Sequence, residues 1–252
     1  MKSHCILNRK GGAPRRLVTS LIIVSGAIAA NAQLSGNLFL DQASQSGNGT
    51  LNSVYLDNPA YSTGFGRKFT VSDSAWDISS FDYLAIVLGD PTVDYNSAYV
   101  TVSKFSGVAP SAQHDPTTIS TGSDIVYSAL LPVQKTFIKS SMYQVLVDVS
   151  GAASLQGLAH GDYVVSIDVA GNDANGSWFV AENSARTATE TWQRNPADGY
   201  GFGWANWSPI ANESNAHDAG IGINGTVNTV PEPSALAILG LGLPYLFRRR
   251  RA

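Results

Sequence analysis

Tyr163-Val164-Val165-Ser166-Ile167-Asp168-Val169 decides the fold class. In an extended chain Tyr163, Val165, Ile167 and Val169 point one way, and Asp162, Val164, Ser166 and Asp168 the other. A period of two marks a strand with one buried face. The same period recurs along the chain. Ala98, Val100 and Val102 alternate with Tyr99, Thr101 and Ser103; Tyr143, Val145, Val147 and Val149 oppose Gln144, Asp148 and Ser150; Ala219, Ile221 and Ile223 alternate with glycines and Asn224. These patterns predict half-buried antiparallel strands. Residues 83–88 are apolar without alternation and predict a strand covered on both faces.

Shorter strands are expected at 37–40, 51–57, 66–72, 125–130, 177–181 and 200–207, separated by turn signals such as Asp57-Asn58-Pro59, Gly89-Asp90-Pro91 and His160-Gly161-Asp162. Residues 73–81 and 149–158 are each expected to form a turn or two of helix. About ten short strands with Gly, Asn, Asp and Pro between them predict an all-β antiparallel β-sandwich of jelly-roll type. No internal repeat suggests a propeller or solenoid.

Both ends of the chain differ from this middle. Lys2, Arg9, Lys10, Arg15 and Arg16 precede an apolar run at 17–29, and Ala30-Asn31-Ala32 forms a small-residue cleavage site before Gln33. This is the pattern of a secretory signal peptide, with a helical apolar core, cut after Ala32. Cys5, the one cysteine, lies within it, so the exported chain would have no thiol for a disulfide or a metal. At the other end stand Pro231-Glu232-Pro233, an apolar run at 235–247, and Arg248-Arg249-Arg250-Arg251. As a helix the 13 apolar residues reach about 20 Å, against roughly 30 Å of bilayer hydrocarbon, so they need snorkelling arginine stems to span. Arginines at one end alone predict a cytoplasmic C-terminus. Pro231 and Pro233 exclude helix and hold Glu232 on stiff, exposed backbone, as a protease requires.

Hinge, apolar helix and arginine block together resemble the PEP-CTERM sorting tail of Gram-negative bacteria. That resemblance implies exosortase and the secretion machinery as partners. It also implies passage through the inner membrane, then the cell surface or an extracellular matrix associated with exopolysaccharide. The expected organisation is a signal peptide at 1–32, a β-sandwich domain at 33–228 and the sorting tail at 229–252. The middle region is also similar to the choice-of-anchor domains of secreted bacterial proteins. The resemblance rests on Phe65-Gly66-Arg67-Lys68-Phe69, the loop 104–110, Leu158-Ala159-His160-Gly161-Asp162 and the closing 220–226.

Residues 33–228 hold seven basic and 18 acidic side chains, a net charge of −11. Such a surface argues against nucleic acid and anionic lipid as partners.

No cofactor is expected, and motifs for catalysis are weak. His114, His160 and His217 lack the paired spacing of a zinc site and read as solvated turn histidines. No Gly-x-Ser-x-Gly elbow accompanies them. A glycosidase pair such as Glu182 with Asp198 has no support from spacing. Asp90 with Asp94, and Asn172, Asp173 and Asn175, carry the oxygen ligands calcium prefers, but in surface turns they more simply serve the turn.

Trp178, Phe179, Trp192, Tyr200, Phe202, Trp204 and Trp207 crowd into thirty residues among glycines. Exposed coplanar rings from Trp192, Tyr200, Trp204 and Trp207 would make a carbohydrate platform. Burial of the same rings in the sandwich core is the weightier alternative. The primary expectation is a non-enzymatic surface or matrix protein. A carbohydrate-binding module is the alternative, and a hydrolase without recognisable motif the third.

Overall fold

The computed structural model describes residues 34–43, 49–52, 54–55, 62–72, 74–88, 95–171, 177–185, 187, 189–199, 201, 203–210 and 217–228. The signal pattern with Ala30 and Ala32, the turns at 89–94 and 172–176, Tyr200, Phe202, and the tail with Pro231, Glu232, Pro233 and Arg248 to Arg251 lie outside them.

The described residues are all-β, in two antiparallel sheets. The first sheet contains β1 (Phe39–Asp41), β2 (Gly49–Asn52), β5 (Ala75–Leu88), β8 (Gln134–Lys139), β9 (Met142–Asp148), β11 (Ser177–Ala181) and β14 (Ile221–Asn228). β5 is its spine. One edge of β5 pairs with β9, which pairs onward with β8; β14 and β11 share the other edge end to end. The second sheet contains β3 (Val54–Tyr55), β4 (Gly64–Val71), β6 (Ser97–Lys104), β7 (Ile125–Pro132), β10 (Gly161–Ala170), β12 (Thr191–Arg194) and β13 (Ser208–Pro209). Its main path runs β13-β12-β4-β10-β6-β7, and the two residues of β3 add a parallel pairing at the end of β10.

The core lies between the sheets and follows the period of two. Tyr163, Val165, Ile167 and Val169 of β10 meet Phe81, Tyr83, Ala85 and Val87 of β5, with Val145 and Val147 of β9. Each large side chain fully withdrawn from water contributes about 1.5–3 kcal/mol. Trp178 is wholly buried here and donates its indole N–H to the Tyr83 hydroxyl at 3.0 Å. Burial pushes the Tyr83 phenol up, so it stays neutral.

The outer faces depart from the half-buried expectation. Val164, Ser166 and Asp168 are also fully buried, because the loop 105–124 packs back over the second sheet. On the first sheet β5 is covered on both faces, as its apolar run implies: Leu84 and Ile86 join Leu34, Met142 and Ala181 in a smaller outer cluster. There Asp82, fully buried, accepts hydrogen bonds from the Ser35 backbone N–H and the Gln144 amide, both at 2.9 Å. Burial raises its pKa, the Ser35 and Gln144 hydrogen bonds opposing.

Three local expectations are corrected. Residues 75–81 are strand, not helix: Trp76 and Ile78 face the core, then the phase shifts so that Phe81 and Tyr83 do. The shift is a bulge, since Gly225 pairs with Ile78 while Asn224 pairs with Ser80, and it breaks the alternation in sequence. The expected helix at 149–158 contracts to a single 3-10 turn, Ala153–Leu155. Of residues 200–207, expected as strand, the described ones (201 and 203–207) form bends and turns or irregular chain, with strand only at Ser208–Pro209.

Candidate functional site

The outward side chains of β6 and β10 form a polar layer beneath the loop 105–124. By antiparallel register Thr101 lies opposite Ser166, and Ser103 (opposite Val164) and Asp168 (opposite Tyr99) flank that pair on the same face. His114 enters this layer with no exposed surface. Its Nδ1 lies 2.6 Å from Ser103 Oγ and its Nε2 2.7 Å from Ser166 Oγ. Burial, with a smaller contribution from the Arg194 charge, lowers its pKa to about 3. The ring is therefore neutral, donating to one serine and accepting from the other. It braces the loop against two strands. The solvated-turn reading fails for His114, although His160 is exposed. His217 has its Nδ1 2.6 Å from Glu182 Oε2.

Trp207 closes the layer. Its indole N–H points at the carbonyls of His114 (3.0 Å) and Ser111 (3.2 Å), and its ring meets the His114 ring edge-on at 5.3 Å. Gly66 makes room: a Cβ there would lie 3.3 Å from the Trp207 ring and closer still to Val164. Arg194 Nη1 donates to the carbonyls of His114 (2.9 Å) and Ala112 (3.3 Å), while its Nε donates to Ala205 O at 3.0 Å. The loop thus hangs on one histidine, one tryptophan and one arginine.

Beside it, the turn at Asn195 to Asp198 is bonded to Gly203 and Trp204. Asn195 N–H donates to Trp204 O at 2.8 Å, and Asp198 Oδ1 accepts from the Gly203 and Trp204 amides at 2.9 and 3.2 Å. Asp198 (φ 50°), Gly201 (φ 70°) and Gly203 (φ 79°) are left-handed, which explains the glycines and the aspartate.

The aromatic cluster is accordingly divided. Trp178 is in the inter-sheet core. Trp192, only 5% exposed, packs on the outer face with its ring 5.2 Å from that of Phe105. Trp204 and Trp207 are half-buried. The burial of Trp192 withdraws its ring from an exposed platform, and Trp204 and Trp207 do not join the inter-sheet core. Of the glycosidase candidates, Glu182 is engaged with His217 and Asp198 with its own turn.

A second polar cluster joins the sheets. Arg67 points inward from β4, 4% exposed, with Nη2 2.8 Å from Asp41 Oδ2, Nη1 3.1 Å from Glu190 Oε2 and 3.8 Å from Asp218 Oδ2. Its guanidinium carbon lies 5.8 Å from the Phe39 ring centre. Asp218 also accepts the Thr189 and Glu190 amides. Among the described residues no grouping of His, Cys, Asp and Glu has the geometry of a metal site, and no helix is long and apolar enough to cross a membrane.

Sequence reasoning missed His114 and Arg67. For His114 the one available signal was the row of small polar residues on the outer face of β6 and β10, whose partner lies in the loop that follows β6. No curated protein and no solved structure matches the chain. One family model does: at residues 229–251 the chain carries the PEP-CTERM protein-sorting motif.

Proposed function

We propose that the chain is an exported bacterial surface or matrix protein, processed by exosortase, whose folded body has no catalytic role. The sorting motif at residues 229–251 carries this reading. The signal-peptide pattern at 1–32 supplies the export step, and Ala30 and Ala32 its cleavage site. Glu232 between Pro231 and Pro233 is the processing element. Residues 235–247, stopped by Arg248 to Arg251, hold the precursor in the inner membrane of a Gram-negative cell with the sandwich outside. The body would be a jelly roll over 33–228, ending at the surface or in an exopolysaccharide matrix. A net charge of −11 over 33–228 keeps such a protein soluble and away from nucleic acid.

Removal of residues 231–252 followed by cell fractionation tests the assignment. The truncated chain should lose the processing step and change compartment. An unchanged location, with a mass differing only by the deletion, would refute it.

One observation favours a second reading, a carbohydrate-binding module: Trp204 and Trp207 remain half-buried beside the exposed Asn206. Stacking on a pyranose ring would shift tryptophan emission. Titration with exported polysaccharide should then change the fluorescence of the native chain and not of Trp204→Ala. Equal responses would remove this reading.

A further inference from the structure

From Ile125 to Val147 the chain contains no acidic residue and two basic ones, Lys135 and Lys139. The rest of residues 33–228 holds five basic and 18 acidic side chains. The fold gathers this acid-free stretch at one edge of the sandwich. β7 ends the second sheet, pairing among the described strands with β6 alone. β8 ends the first sheet and pairs with β9 alone. Only Val133 separates the two edge strands.

Exposed sheet edges are normally blunted by charges, bulges, proline or brevity. β8 has Lys135 and Lys139. β7, Ile-Val-Tyr-Ser-Ala-Leu-Leu-Pro, has eight residues and no charge. Its bulge, at Val126, lies near one end and Pro132 at the other, leaving Tyr127 to Leu131 in regular pairing with β6. Leu130 is 45% exposed on this strand, and Ile119 is 56% exposed in the loop whose Ser120 amide bonds Ser128 Oγ. An uncharged, apolar edge of this length is a template for another strand.

We infer that β7 is the edge at which a second copy of this chain adds, antiparallel, to make one continuous sheet across two molecules. For a second copy, charge favours this edge over β8. Two bodies at −11 repel over most of their surfaces, and the acid-free edge is where their approach costs least. β7 pairing with itself sets no like charges opposite one another, whereas β8 pairing with itself would set lysines close together. Eight residues at about 3.3 Å each give a ladder of roughly 26 Å, a small interface, so association is weak and concentration-dependent. The inference concerns the folded body and stands apart from the sorting assignment.

Sedimentation velocity on the purified protein tests it. A monomer–dimer equilibrium should appear with rising concentration and strengthen with salt, because salt screens the mutual repulsion. Leu130→Lys and Leu130→Glu should each weaken dimerisation at least about tenfold, by bringing like charges together across the new ladder. Val227→Glu, at an equally exposed position of the other sheet (49%), should leave it unchanged. Circular dichroism reports that each variant is folded, and the two Leu130 changes serve as independent checks. A monomer at every concentration overturns the inference. So does a dimer that both Leu130 variants retain, or one that salt dissolves, since the latter would be a contact between lysines and acidic surface.

Discussion

His114 is the residue whose surroundings differ most from what its neighbours in sequence suggest. It sits between Ala112 and Pro116 in a polar, turn-like stretch, yet it is fully buried between Ser103 and Ser166. A folded-state pKa of about 3, against 6.5 for an unburied imidazole, has a definite sign. Above pH 6.5 both states are neutral at this site and the shift costs nothing. Below it the unfolded chain takes up a proton that the folded chain refuses, so stability falls as pH drops from about 6.5 toward 3. At pH 4.5 the loss is on the order of 3 kcal/mol relative to pH 7.5. Urea midpoints at the two pH values should therefore separate in the native chain and draw together in His114→Gln. Parallel pH profiles for the two proteins would contradict the neutral buried ring.

At the scale of elements, strands with one uninterrupted alternation could be read directly. Residues 177–181 were expected as strand and are β11 without adjustment; β6, β9 and β10 were expected within a few residues of their bounds. β5 was legible only in its apolar second half. The bulge at Ser79 inverts the phase between Ile78 and Phe81, producing a spacing that imitates helix. β8 escaped notice because an edge strand need not hide either face, and alternation fades when both are wet. β12 escaped because Trp192 is buried on one side and Thr191 and Gln193 on the other. The 201–207 segment alternated aromatics with glycines, but Gly201 and Gly203 are left-handed and serve turns. Glycine spacing in sequence does not distinguish relief of crowding in a strand from a requirement for positive φ.

At the scale of the whole molecule, the sheets are joined by apolar contact and by Arg67. This side chain reaches from β4 to Asp41 on β1 and to Asp218 just before β14. Substitution by methionine keeps the length but leaves Asp41 and Asp218 in a dry site without their cation. Breaking such a buried pair costs about 3–5 kcal/mol. Arg67→Met should lower the denaturation midpoint by an amount of that size. Arg67→Lys should recover only part of it, because an ammonium cannot present a fork to Asp41 and Glu190 together. A loss below about 1 kcal/mol for Arg67→Met would show that the apolar core alone holds the sheets together.

Composition and local spacing by themselves determined that this is a β protein, where its regular strands run and that residues 33–228 carry a net −11, while the sorting motif of the tail was identified by its resemblance to a known family. Those properties reside in neighbouring residues. Tertiary structure alone decided that His114 is buried and neutral, that the tryptophans divide between a core and an outer face, and that β7 forms an uncharged edge. It also decided that Arg67 finds carboxylates at positions 41, 190 and 218. Each depends on side chains brought together from distant parts of the chain, and periodicity along a strand carries no information about which loop folds over it.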